Sequence, residues 1–326
     1  MNPAPPTIRF EGGIISLEPG ESVLDALLRL GVRVSYSCRA GVCQSCLLRA
    51  ASGPPPPASQ KGLRDSLKRQ GYFLACVCRP VSELEISTEA PADDIPGRIA
   101  AIERLAPDVV RVVVETSSRL DYLAGQYATL IREDGLARSY SIINTPGESR
   151  LEFHVKRAPG GRMSQWLHSL EAIGAEVIVR GPAGDCYYRA GEPDSPLLLA
   201  GTGTGIGPLY GIANEAIRAG HKAPIHLFHA ASDAEGLYMH AQLCALAAAL
   251  DNFHYYPVNR ADSGRPDILS GNLESLLTSQ LPDVGAFEVY LCGNPTFVRT
   301  ARKNVFLAGA SSRRIHADAF VTSPCP

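Results

Sequence analysis

Ser37-Cys38-Arg39-Ala40-Gly41-Val42-Cys43-Gln44-Ser45-Cys46, followed about thirty residues later by Leu74-Ala75-Cys76-Val77-Cys78, decides how the first part of the chain is read. Cys38, Cys43 and Cys46 form C-x4-C-x2-C, and with a later cysteine they give the ligand spacing of a plant-type [2Fe–2S] cluster. Zinc prefers paired C-x2-C knuckles, so the x4 gap and the lack of a nearby His disfavour it. The residues between the ligands are small or polar. They let a loop wrap closely and turn N–H groups toward sulfur, which holds the cluster's negative charge and tunes its potential. Cys76 suits the fourth position, and Cys78 competes from two residues away.

Outward from that loop, 326 residues exceed what one hydrophobic core usually holds, so two or three domains are expected. The 31 basic and 33 acidic side chains give a net charge of −2 and leave no nucleic-acid footprint. The start, Met1-Asn2-Pro3-Ala4-Pro5-Pro6, is not an export signal, and no apolar run approaches the roughly 18 residues of a membrane span. A cytoplasmic monomer without membrane or nucleic-acid partners is expected. Nine cysteines, an odd number in a long chain, point to reduced or metal-bound thiols rather than disulfides. Through Ala90 there are ten basic and eight acidic residues, which predicts no strongly charged docking face.

Composition separates three segments, 1–92, 93–192 and 193–326. The first reads as a hairpin (Ile8–Glu11 with Gly13–Leu17), a helix from Ser22 to about Leu30, a Pro-rich surface loop at Gly53–Pro57 and a strand at Leu84–Ile86. Glu89–Pro96 is the expected linker. The second segment carries strands at Val109–Val114, Tyr127–Ile131, Leu151–Val155 and Glu176–Val179, with a single helix from Ser164 to about Glu171, which suggests a small closed barrel. From Pro196 strands and helices alternate, as in an α/β unit with a parallel sheet.

Two further constellations point to phosphate-bearing ligands. Arg138-Ser139-Tyr140-Ser141 follows Ala124-Gly125-Gln126-Tyr127 and precedes Pro159-Gly160-Gly161-Arg162-Met163-Ser164 at the start of the lone helix, where unpaired N–H groups attract phosphate. Gly201-Thr202-Gly203-Thr204-Gly205-Ile206-Gly207-Pro208 follows an apolar strand and opens a helix, but it matches neither G-x-G-x-x-G nor a P-loop. Cys292-Gly293-Asn294-Pro295 follows a second strand, so both loops fall at carboxyl ends, where open α/β sheets bind ligands.

Together these motifs resemble the ferredoxin–NADP⁺ reductase superfamily, and the cysteine run with Leu74-Ala75-Cys76 is similar to the ferredoxin domains of bacterial oxygenase reductases. The resemblance covers nearly the whole chain. It implies an α+β β-grasp ferredoxin domain, an all-β Greek-key FAD barrel and an α/β parallel-sheet NAD domain. It makes Cys76 the fourth ligand and Cys78 structural. Arg138 would pair with the flavin pyrophosphate, Tyr140 would pack on the isoalloxazine and Ser141 would hydrogen-bond near N5, with Ser139, His154, Lys156, Gly161, Met163 and Ser164 completing the FAD site. Gly201, Thr202, Gly203, Thr204, Gly205, Gly293, Asn294 and Pro295 would hold the dinucleotide, with Cys292 beside the nicotinamide. Phe320 in Ile315-His316-Ala317-Asp318-Ala319-Phe320 would approach the flavin, so Ser141, Cys292 and Phe320 are the expected catalytic positions. The chain departs from the pattern at Gly181-Pro182-Ala183-Gly184-Asp185-Cys186, which lacks the aromatic many relatives have after Gly-Pro, and the adenine-side contacts do not carry over.

After the strand ending at His229, Ala230–Glu235 holds no basic residue, and Asp233 suits a free ribose diol; NADH is therefore favoured, although Arg260 and Arg265 lie after the next strand. A hydride carries two electrons and the cluster accepts one, so a group that takes two and releases one at a time is required, and FAD is that group. The implied function is transfer from NADH through FAD and the [2Fe–2S] cluster to a protein acceptor, the oxygenase of a multicomponent aromatic or alkane hydroxylase. Two other readings are the reductase partner of a deoxysugar (CDP-6-deoxyhexulose) dehydrase and a non-enzymatic redox sensor or carrier.

Overall fold

The computed structural model describes residues 6–189, 194–262 and 264–321, and the boundary expected between 192 and 193 lies outside them. At the amino end, Thr7–Phe10 (β1) turns back onto Gly13–Ser16 (β2), and Val23–Arg29 (α1) starts beneath Ser22, whose Oγ accepts the Asp25 N–H at 3.2 Å. Leu47–Ser52 (β3), Asp65–Arg69 (α2), Tyr72–Leu74 (β4) and Leu84–Ser87 (β5) complete a mixed sheet of order β2-β1-β5-β3-β4, with β1 and β5 parallel. α1 lays Leu24 and Leu27 on this sheet, against Ile8, Phe73 and Leu84. This is the α+β arrangement the resemblance implies.

The second sheet contains Ile95–Ala106 (β6), Val109–Thr116 (β7), Tyr127–Ile131 (β8), Ala137–Ser141 (β9), Arg150–Lys156 (β10) and Glu176–Ala183 (β11), with Arg162–Leu167 (α3) between the last two. All its pairings are antiparallel, in the order β10-β7-β6-β11-β8-β9, so β11 returns between β6 and β8 in Greek-key fashion. Ile143 N–H donates to Glu152 O at 2.9 Å, drawing the two sheet edges together into a barrel. Alternation along β10 sends Leu151, Phe153 and Val155 inward, where they meet Val112, Val114 and Leu130. Two sequence readings need correction here. Ile95 and Pro96 belong to β6 rather than to the linker, because Ile95 pairs with Val179 and is buried. The helix begins at Arg162 rather than Ser164, because the Ser164 hydroxyl ties the preceding loop by accepting Ala158 N–H at 3.0 Å.

The third sheet is wholly parallel, in the order β15-β14-β13-β12-β16-β17. Its elements run Leu197–Thr202 (β12), Ile206–Arg218 (α4), Ile225–Ala231 (β13), His240–Ala249 (α5), Phe253–Asn259 (β14), Leu269–Ser270 (β15), Leu273–Gln280 (α6), Glu288–Gly293 (β16), Pro295–Leu307 (α7) and Ile315–Ala319 (β17). Strands covered on both faces read as continuous apolar runs, as Leu197–Ala200 does. Leu199, Leu227 and Tyr290 face α4 and α5, while Leu198, Phe228 and Leu291 face α6 and α7. Strand order reverses at β12, so the carboxyl ends of β12 and β16 border the crevice where such sheets take ligands. Among the described residues no helix is long and apolar enough to cross a membrane.

Close seams join the three parts. A Cβ on Gly207 of α4 would press on Ile143 Cδ1 and one on Gly211 would stand 2.9 Å from Ile143 O, so these glycines let the barrel approach this helix. Between the first two sheets, Arg180 clasps Asp94 through Nε at 2.9 Å and Nη2 at 2.7 Å, with side chains only 12% and 9% exposed. Asp94→Ala strands the guanidinium without its partner, and breaking such a pair costs about 3–5 kcal/mol. Urea unfolding followed by near-UV circular dichroism is expected to show a lower midpoint for the variant; a wild-type midpoint would mean the pair contributes nothing.

Candidate functional site

The cysteines assemble as two pairs. Cys38 N–H points at Cys43 Sγ and Cys43 N–H at Cys38 Sγ, both at 3.4 Å, while Cys46 and Cys76 are hydrogen-bond neighbours of each other. Contact with Cys43 and with backbone N–H groups draws the Cys38 thiol down to about 5, and its partner is pushed up. Among the described residues no three His, Cys, Asp or Glu side chains converge on a single ion. The pairing of Cys38 with Cys43 and of Cys46 with Cys76 suits a cluster whose two irons would each take two thiolates. Left-handed backbone at Arg39 (φ 52°), Gly41 (φ 72°) and Gln44 (φ 59°) bends the loop so that the Ala40, Val42 and Gly41 N–H groups face sulfur. Ser45 Oγ is buried beside Cys43 and is placed as a donor to its thiolate. Cys78 points away into the core against Ser59, and burial pushes its thiol up to about 12.

The cluster loop is fastened to the barrel by main-chain carbonyls. Tyr127 OH donates to Val42 O at 2.6 Å, Ser139 Oγ to Cys43 O at 2.7 Å and Thr129 Oγ1 to the same oxygen at 3.2 Å. Arg138 Nη1 donates to Tyr36 O at 2.9 Å, and Ser35 Oγ bonds Gly135 O. Sequence reasoning gave Ser139 to the flavin and missed Tyr127 and Thr129 altogether. The expectation for Ser139 is corrected in one respect, since its hydroxyl is committed to the cluster loop.

A cleft of about 1460 Å³ runs from this loop to the third sheet. Pockets for a single small ligand measure about 300–1,000 Å³, so this cleft is larger than one such pocket. Cys38 and Cys43 close one end; Arg138, Ser139, Tyr140, Ser141, His154, Lys156, Gly161, Met163 and Ser164 line the barrel wall. Thr202, Gly203, Thr204, Asp233, Asn294 and Phe320 line the opposite side. Arg138 has no carboxylate partner among the described residues, which suits an anionic ligand, whereas Lys156 pairs with Asp108 at 3.1 Å. The Ser164 hydroxyl donates to Gly161 O, leaving the backbone N–H groups of the first turn of α3 as the free donors. His154 Nδ1 lies 3.1 Å from Tyr238 OH, joining the barrel to the loop that carries Asp233, and burial brings the imidazole down to about 4. Arg265 pairs with Asp267 off the cleft, and Arg260 lines it.

Five predicted residues stand behind the wall. A Cβ on Gly205 would lie 2.3 Å from Cys292 O, one on Gly293 2.4 Å from Thr202 Oγ1, and one on Gly201 2.7 Å from Leu209 Cδ1. Gly205 and Gly293 interlock the two loops, Gly201 makes room for Leu209 of α4, none of the three lines the cleft, and Pro295 opens α7. Cys292 is the clearest departure from expectation. Its alternation in β16 turns the fully buried side chain toward the α4 core, with Sγ 3.7 Å from Cys186 Sγ, so it does not line the cleft. Contact with Cys186 and burial raise its thiol well above the ordinary value.

Residues 9–81 match the family model for a 2Fe-2S iron-sulfur cluster binding domain, 96–188 that for an oxidoreductase FAD-binding domain and 199–303 that for an oxidoreductase NAD-binding domain. The ferredoxin–NAD(P)⁺ reductase component of the naphthalene 1,2-dioxygenase/salicylate 5-hydroxylase systems of Ralstonia sp is 30% identical over 318 residues, covering 95% of this chain and 96% of that one. The chain belongs to the ferredoxin-fused reductases of the ferredoxin–NADP⁺ reductase superfamily. A crystal structure of an Amycolatopsis cytochrome P450 reductase aligns with a TM-score of 0.70 at 30% identity, covering 97% of this chain and 98% of that one. The CDP-6-deoxy-L-threo-D-glycero-4-hexulose-3-dehydrase reductase of Yersinia pestis is 27% identical, covering 95% and 97%. This reductase is accordingly an electron-transfer enzyme that uses NAD, FAD and a [2Fe–2S] cluster, and the sensor reading falls away.

One further group of the reductase escaped the sequence reading. Asp318 lines the cleft with Ala319, Phe320 and Tyr127, and burial pushes its carboxyl up to about 6. Only its pairing with Cys292 across β16 and β17 puts it there.

The two pairs of thiols predict opposite outcomes at neighbouring positions. Cys76→Ser is expected to remove the visible bands of the cluster while NADH-dependent reduction of a flavin-level dye persists. Cys78→Ser is expected to keep the cluster. An intact cluster in the first variant and a lost one in the second would exchange their roles.

Proposed function

We propose that this chain is the NADH-oxidising reductase of a multicomponent oxygenase that hydroxylates an aromatic or alkane substrate. The observation that carries the reading is the fastening of Cys43 O to Ser139, in the wall of the cleft that the barrel shares with the nucleotide sheet, and to Thr129 behind it. The aromatic-oxygenase role of the Ralstonia relative supports the choice of acceptor. We take 1–92, 93–192 and 193–326 as the working units, in a cytoplasmic monomer without membrane or nucleic-acid partners.

Within it, Cys38, Cys43, Cys46 and Cys76 hold the cluster. Arg138, Tyr140 and Ser141 bind and orient FAD, with Met163 and the first turn of α3 at its phosphates, where free N–H groups favour negative charge. Thr202, Gly203, Thr204 and Asn294 receive NADH, and Asp233, already accepting Gly236 N–H at 2.9 Å, keeps a carboxylate oxygen for the ribose diol. Phe320 covers the reacting end and excludes water, and Asp318 holds or releases a proton there. Bound FAD supplies the exchange between two-electron and one-electron transfer.

The test is anaerobic loading with NADH, followed by addition either of an aromatic-ring oxygenase with its aromatic substrate and dioxygen or of the CDP-6-deoxyhexulose dehydrase with its sugar substrate, with product measured in each. Hydroxylated product in stoichiometry with NADH is expected. Turnover with the dehydrase alone would replace this reading with the second.

A further inference from the structure

Two thiols outside the electron path face each other where the barrel meets the nucleotide sheet. Cys186 and Cys292 are 3% and 0% exposed, and their sulfurs are 3.7 Å apart although 106 residues separate them in sequence. Cys186 lies where the chain leaves β11, in the stretch that departs from the superfamily pattern; Cys292 is the penultimate residue of β16. Among the described residues no third metal-ligating side chain joins them, so a metal site would be incomplete. A disulfide needs only the pair. From 3.7 Å the sulfurs have to approach by about 1.7 Å to reach bonding distance.

The surroundings determine what that closure would move. Cys292 O lies 2.3 Å from the place of a Cβ on Gly205, and Cys186 O lies 2.4 Å from that on Gly125. Both backbones are thus seated against glycines with no slack. Gly205 belongs to the dinucleotide turn, and Gly125 leads into the strand whose Tyr127 holds the cluster loop. Drawing the sulfurs together shifts Cys292 against Gly205, and the dinucleotide turn has to give.

We propose that Cys186 and Cys292 form an oxidisable dithiol, closed to a disulfide by hydrogen peroxide and reopened by thiol exchange, and that the closed form binds NADH more weakly. In the closing step both S–H bonds and the peroxide O–O bond break and one S–S bond forms. The two sulfurs together lose two electrons, the peroxide oxygens gain them, and the thiol protons leave in two molecules of water. Burial slows the step relative to exposed Cys244, so the bond has to be located by peptide mass rather than by thiol count.

The experiment treats the holoenzyme with hydrogen peroxide at a dose that leaves the visible cluster bands intact, then maps peptides and measures NADH-to-dye kinetics. A Cys186–Cys292 peptide lighter by two hydrogens is expected, with the KM for NADH raised several-fold and restored by dithiothreitol. Neither change is expected in Cys186→Ser or Cys186→Ala. The proposal is overturned if no bridged peptide forms, if the bridge leaves the KM unchanged, or if the Cys186 variants lose NADH affinity on oxidation as the wild type does. The peptide mass does not depend on the acceptor, so this result is separate from the oxygenase reading.

Discussion

One carbonyl oxygen, that of Cys43, ties the electron-accepting end of the molecule to the rest. It accepts from Ser139 at 2.7 Å and from Thr129 at 3.2 Å, and these hydroxyls lie 2.9 Å from each other on paired strands of the barrel. Electron transfer weakens steeply with distance, so a cluster on a freely swinging domain would receive electrons only intermittently. Fixing the backbone of a ligand-bearing residue, with Tyr127 OH on the adjoining Val42 O, sets the cluster's place without touching its sulfurs. The sulfurs stay free for iron, and the loop N–H groups stay free to hold its negative charge.

The same economy governs the opposite wall. Glycines at 205 and 293 act by absence of side chain, letting the loops after β12 and β16 interlock so closely that a Cβ at Gly205 would run into Cys292 O and one at Gly293 into Thr202. Hydrogen bonding completes the joint, with Asn294 N–H on Thr202 Oγ1 at 3.0 Å. Thr202, Gly203, Thr204 and Asn294 are thereby presented to the cleft on a rigid edge. A small-residue face on α4 then seats this edge against Ile143 of the barrel. Alignment of two cofactor sites follows from packed glycines rather than from a flexible tether.

Much of this was legible in the sequence because local rules and the global fold agree. The C-x4-C-x2-C spacing, the β-branched alternations of the barrel and the strand–turn–helix series each carry their own period, and the sheets follow them. What the sequence hid depends on contacts between segments far apart in the chain. Ser139 reads as part of a flavin strand, and nothing local shows that its hydroxyl meets a carbonyl 96 residues earlier. Cys292 reads as a cleft residue until the parity of β16 turns its thiol toward Cys186. Asp318 is an ordinary acid in a polar-looking tail until β17 pairs with β16 and places it in the cleft. The long β6 was read partly as linker because Pro96 signals a break, whereas pairing with β11 absorbs it.

The claim that the barrel's grip on the cluster loop sets the path of the electrons is tested most directly by anaerobic stopped-flow of the Tyr127→Phe/Thr129→Val variant with NADH, following flavin and cluster absorbance together. The account predicts flavin bleaching at the wild-type rate, followed by cluster reduction several-fold slower than in the wild type. Cluster reduction at an unchanged rate, in a variant that retains its full cluster spectrum, would contradict it.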